Sequence, residues 1–323
     1  MKKALLNAFN ISPVSKKVET ISTEQIGNPI PETVYQWLQF DLSSPETGKI
    51  IRTIDGLDEL LVGALLREET RPRISLSNDD MLIILRGVNL TKGADPEDMV
   101  SVRMLINKNR IITCQRRSLL SINDIVSLIE QGNAPKSTSH LLVLLCENLV
   151  YRMSDVMEDI EDRSVEMEEL VLDNEGHDYK NEIHNLRQQI IQLKRFLIPQ
   201  RDAFLRLQVE KTSWITIKQQ HRFREITDQL IRYLEMLDAA REMATVSQET
   251  LYHRQNEHMN KRMYLLSVIA ALFLPLSFFA GLFGVNLAGI PLAENPGAFG
   301  FFVLVLLLIV AFQFWFFRKN KWL

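Results

Sequence analysis

Two runs without a charged residue, Met263 to Phe283 and Ala298 to Phe317, stand apart from an upstream chain in which apolar and polar positions alternate at short period. At about 1.5 Å of rise per residue, a helix of either length spans roughly 30 Å, the thickness of a bilayer's hydrocarbon core. The pattern predicts a transmembrane hairpin: a first helix over 263–283, a polar loop over 284–297, a second helix over 298–317 and a basic end over 318–323.

Upstream, the periodicity changes near residue 135. Before it, Val34 to Leu42, Arg73 to Ser77, Met81 to Gly87, Val100 to Ile106 and Arg110 to Gln115 are rich in Val, Ile and Leu and punctuated by Gly, Asn, Asp and Pro, which predicts strands. Asp55 to Glu68 and Ser121 to Gln131 have helical spacing, with Asp55 and Ser121 as caps, and Leu90 to Glu97 is turn-rich. Residues 1–135 thus form an α+β cytoplasmic domain, an α/β sandwich of ordinary domain size.

Residues 136–262 are a long-helix stalk. Gly and Pro are absent from Lys136 to Glu175 and from His177 to Ile198, which predicts two long helices joined near Gly176. A third Gly- and Pro-free run, Lys211 to Leu274, passes from polar sequence into the first apolar span, and as one helix would measure roughly 96 Å. Its initial turns after Thr212 can also be a separate segment.

Charge sets the orientation. Lys261 and Arg262 precede the first span, Arg318, Lys319 and Lys321 follow the second, and the loop between carries one acid, Glu294. By the positive-inside rule both termini are cytoplasmic, and Phe314 to Phe317 with Trp322 form an interfacial aromatic belt. The N-terminus, Met1 to Leu6, lacks the long apolar core of a signal peptide. The part before Met263 holds all but three of the 37 basic and all but one of the 40 acidic side chains, a net −5. That balance disfavours a nucleic-acid partner and suits a head that collects cations; the acidic outer part of the first stalk helix, Glu158 to Glu169, is also an ordinary solvated face. Cys114 and Cys146 are too few and too far apart for a zinc knuckle and are expected to be buried thiols.

Two helices cannot surround an aqueous path, so a conducting assembly has to be oligomeric. Ser267, Ser277 and Gln313 are expected to face neighbouring helices or water, because polar atoms facing lipid are costly. A row followed back from Asn286 at helical spacing passes through Ser277, Leu274, Ala270, Leu266, Met263, Asn260, Asn256 and Glu249. As a pore, this line is apolar in the membrane and polar at both ends: Gly284, Val285 and Asn286 form the mouth, Met263, Leu266, Ala270, Leu274 and Ser277 line it, and Glu249, Asn256 and Asn260 mark the stalk axis. An apolar barrel gates by dewetting, and the Asn286 carboxamide can hold water bound to a cation, making it the tentative metal contact. A helix-packing seam has the same periodicity but gives no reason for an amide at the outer mouth.

The residues at the membrane end also carry a resemblance. Pro275-Leu276-Ser277-Phe278, Gly281-Leu282-Phe283-Gly284-Val285-Asn286, the second span and the ending Arg318-Lys319-Asn320-Lys321-Trp322-Leu323 resemble the CorA-type divalent metal ion transporter family. Glu69-Thr70-Arg71-Pro72-Arg73, Leu85-Arg86-Gly87-Val88-Asn89 and Gly93 to Val100 are similar to its zinc-transporting ZntB branch. The resemblance covers nearly the whole chain. It implies a funnel-shaped homopentamer in a bacterial inner membrane, with five first spans lining a central pore and five second spans outside. Val285 stands where magnesium-transporting relatives have Met, which supports the zinc branch.

The resemblance thus implies transport of Zn²⁺, with some Ni²⁺, Co²⁺ or Cd²⁺, assisted by a proton gradient and needing no cofactor. Ligand softness does not choose zinc, since carbonyl, carboxamide and water ligands suit hard ions such as Mg²⁺. A magnesium or cobalt channel of the same family and a membrane-anchored metal sensor remain alternatives. An enzyme is not expected: the chain lacks the glycine-rich phosphate loop ending in Lys and Ser or Thr, and lacks HExxH. His253 and His258 point in different directions on a helix, and His177 and His184 lie about 10 Å apart along one, so neither pair clamps a zinc.

Overall fold

The computed structural model describes residues 4–68, 71–173, 179–284 and 296–319. They fall into two compact units, 1–248 and 249–323, with one helix running through the boundary.

The first unit is built on a seven-stranded sheet. Its strands are β1 (Leu5–Ser12), β2 (Lys17–Thr20), β3 (Tyr35–Asp41), β4 (Arg73–Ser77), β5 (Asp80–Gly87), β6 (Val100–Ile106) and β7 (Arg110–Gln115), in the order β2-β1-β3-β7-β6-β5-β4. Every pairing is antiparallel except β3 with β7, which run parallel with Gln36 opposite Arg110 and Asp41 opposite Gln115. The five expected strands lie within a residue of their observed bounds, because Val, Ile and Leu on a pleated, two-sided core leave few alternatives. β1 and β2 add to them. β1 carries Asn7 and Asn10 and an irregular register between Leu5 and Asn7, while β2 is short, polar and at the edge, so neither shows a clean alternation.

Helices cover both faces. On one, α1 (Thr47–Arg52) and α2 (Glu59–Leu66) bring Ile51, Leu61 and Leu65 against Leu38, Phe40, Leu82, Ile84, Leu105, Ile112 and Cys114. On the other lie α3 (Leu120–Glu130) and α4 (Thr138–Tyr151). Gly87, on the alternate side of β5, marks that contact: a Cβ there would meet Leu149 Cδ2 at 2.8 Å and Leu119 Cδ2 at 3.1 Å.

Two expected caps are corrected. The cap of α2 is Asp58, whose carboxylate accepts from Leu60 N at 2.8 Å and Leu61 N at 3.1 Å; Gly56, at φ 79°, interrupts any helix that would start at Asp55. The cap position of α3 is Leu119, and Ser121 is buried inside the helix. Arg103, 1% exposed, serves the other end of α2, donating through Nη1 to Leu65 O at 2.6 Å and to Arg67 O.

The stalk departs from its Gly and Pro punctuation. The expected helix from Lys136 to Glu175 is two, α4 and α5 (Ser154–Asp173). Arg152, in the break, is held by Asp124 of α3 at 2.8 and 3.0 Å, and Met153 is fully buried, so tertiary contacts stop α4 where local sequence would not. Conversely, α6 (Lys180–Val209) runs through Pro199, and α7 (Ile217–Phe283) runs through Pro275. Leu193, Leu197, Phe204 and Leu207 of α6 are all fully buried, and that packing offsets a Pro penalty of about 3 kcal/mol. The turn between β4 and β5 ties down the connector before α7: Asp79 accepts from Ser213 N at 3.0 Å, and Trp214 Nε1 donates to Asp79 O at 2.9 Å.

One pH effect follows from the start of α4. Lys136 N donates to His140 Nδ1 at 3.1 Å, which requires a neutral ring. Burial, with Arg222, Lys136 and Lys218 nearby, holds the His140 imidazolium below its usual range. The unfolded chain therefore binds this proton first, so the stabilisation is complete above about pH 6.5 and is lost as pH falls below it. Chemical denaturation between about pH 5 and 7 is expected to give a shallower pH slope for His140→Gln than for the native chain. An unchanged slope would exclude His140 as the group responsible.

Candidate functional site

Two helices, α7 and α8 (Ala298–Lys319), are long and apolar enough to cross a membrane. Each has a distinct inward side. From residue 256 onward, the α7 positions withdrawn from solvent are Val268, Ala271, Leu272, Pro275, Leu276 and Phe279. They recur at three and four residues and mark the side turned to α8. Gln313 Nε2 donates to Ala271 O at 3.3 Å, and the Phe283 and Phe302 rings meet edge to face at 5.4 Å. Gln313 was expected to avoid lipid, and its bond to the neighbouring helix does so. Its Oε1 is buried with no partner among the described residues.

The row Met263, Leu266, Ala270, Leu274 and Ser277 lies about half a turn away from the α8 side, at 100° per residue. All five are exposed, Met263, Leu266 and Leu274 at 62%, 69% and 68%. Glu249, Asn256 and Asn260 are exposed as well. Ile269 and Phe278 flank the row on its two sides and are exposed at 44% and 63%. The α8-facing row was not singled out in the sequence, although its Val, Ala, Leu and Phe positions repeat at helical spacing.

At the C-terminal end of α7, Gly284 N closes the last turn on Ala280 O at 2.9 Å. A Cβ at Gly284 would sit 2.9 Å from that same carbonyl oxygen, too close for backbone that cannot swing aside. Gly284→Leu is accordingly expected to distort the helix end and, if the residues that follow it form the mouth of a pore, to lower flux by about tenfold or more. A normally active Gly284→Leu protein would contradict that. Val285 and Asn286 lie outside the described residues, as do Glu69 and Thr70.

Among the described residues, no three His, Cys, Asp or Glu side chains come together in a way that could hold a metal ion. Cys114 and Cys146 are both fully buried free thiols, and burial pushes the Cys114 thiol up to about 12. His253 and His258 are exposed on α7.

Comparison with known proteins places this geometry. The divalent cation transporter CmaX of Pseudomonas aeruginosa is 38% identical over 289 residues, covering 89% of this chain and 87% of that protein. The zinc transport protein ZntB of Pectobacterium carotovorum is 35% identical over 287 residues, covering 89% and 88%. The solved structure of full-length CmaX superposes with a TM-score of 0.86 at 34% identity, covering 100% of this chain and 99% of that one. The sequence model of the family described as CorA-like Mg2+ transporter protein matches residues 32–319, and the chain belongs to that family.

Proposed function

We propose that the chain is one protomer of a homopentameric channel that carries divalent cations, zinc foremost, across a bacterial inner membrane. The observation that carries this reading is the exposed, mainly apolar row on α7, from Met263 to Ser277, directed away from α8; in this reading Gly284, Val285 and Asn286 form the mouth beyond it. A single hairpin leaves that row uncovered, and a ring of five such helices encloses it. In this reading residues 1–135 are the cytoplasmic domain, 136–262 the stalk, 263–283 and 298–317 the spans, 284–297 the outer loop and 318–323 the basic cytoplasmic end. The second spans face the lipid, and nucleic acid has no part.

Zinc is supported by the name of the Pectobacterium relative and by Val285, with Ni²⁺, Co²⁺ and Cd²⁺ as secondary cargo. Magnesium is the second reading. It is favoured by the family's description and by the oxygen chemistry of Asn286. Each divalent ion moving inward gains about 4.6 kcal/mol per 100 mV of inside-negative potential, so uptake is the downhill direction.

Purified protein in liposomes is expected to carry Zn²⁺, faster under an inward proton gradient. Robust Mg²⁺ flux without measurable Zn²⁺ flux would overturn the zinc assignment and leave the channel standing. No flux of either ion would favour a membrane-anchored sensor.

A further inference from the structure

Transport gives no account of a polar crevice at one edge of the cytoplasmic sheet. β3 and β7 are parallel neighbours, and the chain leaves their carboxyl ends toward opposite faces, from β3 into α1 and from β7 into α3. In open α/β sheets such a reversal opens a gap beyond the strand ends, and small ligands bind there. Here the gap is a cavity of about 510 Å³, within the range of small-molecule sites. Its lining includes Asp41 and Gln115, opposite each other at the ends of the two strands, then Arg116, Arg117 and Ser118, and Asn123 in the first turn of α3.

Two observations point to a ligand. Gln115 is only 4% exposed, yet its Oε1 is buried without a hydrogen-bond partner among the described residues. A buried acceptor left unpaired is costly and invites a donor from outside the chain. Independently, no side chain caps the 11-residue helix α3, so its first-turn N–H groups present the positive end of the helix dipole beside Ser118 and Asn123. Arg116 and Arg117 add to that field. Their ion-pair partners Glu68 and Asp98 keep 89% and 59% side-chain exposure, so these pairs are weak and leave guanidinium donors to spare.

A bare anion satisfies the arginines but not Gln115, and it meets the Asp41 carboxylate. Asp41 Oδ1 is occupied by Ser43 N at 2.7 Å and Ser43 Oγ at 2.6 Å, which leaves its other oxygen as a second acceptor. The fitting ligand therefore carries an anionic group and a hydrogen-bond donor together.

We propose that this crevice binds a small phosphate monoester bearing hydroxyl or amine donors, such as a sugar phosphate or a mononucleotide. The phosphate lies at Arg116, Arg117 and the α3 N-terminus. The donor end meets Gln115 Oε1 and Asp41. The site belongs to the first unit and does not depend on which metal is carried.

Calorimetry on the purified full-length protein in detergent, with ribose 5-phosphate, AMP and inorganic phosphate as probes, tests this. At least one monoester is expected to bind about tenfold or more tightly than inorganic phosphate, and the tighter of the two identifies the source of the ligand. Arg116→Ala with Arg117→Ala is expected to weaken it by about tenfold or more, and Gln115→Leu by about fivefold with phosphate binding unchanged. Gln115 is buried, so if its variant does not fold, the exposed arginine pair carries the test. Inorganic phosphate binding as tightly as the monoesters means an adventitious ion only. That result, no binding of any probe, or full affinity in the arginine double variant overturns the proposal.

Discussion

Asn286→Ala is expected to reduce Zn²⁺ flux in liposomes by well over tenfold while leaving the oligomer intact. In the proposed homopentamer one substitution removes a whole ring of carboxamides, and each lost hydrogen bond to a charged group is worth about 1.5–3 kcal/mol, or roughly tenfold to a hundredfold apiece. The substitution leaves the sheet-centred core of the first unit untouched, so size-exclusion chromatography is expected to give the native profile. Undiminished flux in a correctly assembled variant would remove Asn286 from the site. A companion Asn286→Gln variant separates chemistry from reach, because it keeps the amide and moves it outward by one methylene.

The second large effect is a labelling pattern along α7. Single cysteines at Met263, Leu266, Ala270, Leu274 and Ser277 are expected to react with a small water-soluble thiol reagent on the order of tenfold faster than cysteines at Ile269 or Phe278. The reason is geometric: the first five share the face opposite α8, while Ile269 and Phe278 sit on its flanks, where the proposed pentamer would cover them with neighbouring protomers or lipid. Val268 and Leu272 should be protected too, since α8 covers them already in the single chain. Native Cys114 and Cys146 are fully buried and should stay silent, so they need not be replaced. Fast labelling at Ile269 and Phe278 with protection of the other five would mean that the helix is rotated and the apolar row is a packing seam.

Legibility in the sequence followed the strength of local periodicity. The strands from β3 onward stand out because their apolar residues alternate or run continuously, and the two spans stand out because 20 uncharged apolar residues have few other uses. β1 and β2 were illegible because each takes its place by pairing, β1 between two strands and β2 at the edge, and pairing compensates for Asn7 and Asn10. Pro199 misled as a stop signal, since the apolar face that α6 buries outweighs one missing backbone hydrogen bond. The absence of Gly and Pro around Arg152 misled in the opposite sense. Asp124, 28 residues earlier, turns the chain there.

By itself the sequence determined the quantities that depend on neighbours within a few turns: the class and approximate bounds of most elements, the hairpin, the charge asymmetry across it, and the residues forming one row on the first span. Only the tertiary structure decided which side of that helix meets α8. Helical periodicity shows which residues share a side but not which side meets a partner; the withdrawn positions Val268, Ala271, Leu272, Pro275, Leu276 and Phe279 taken together put the α8 contact about half a turn from the mean direction of the row through Met263, Leu266 and Leu274. The same holds in the sheet, where strand order, the single parallel pair and the polar crevice beyond Gln115 arise from pairings between residues about 75 positions apart. Such contacts carry no local signature, because their free energy comes from surfaces that exist only after both segments have folded.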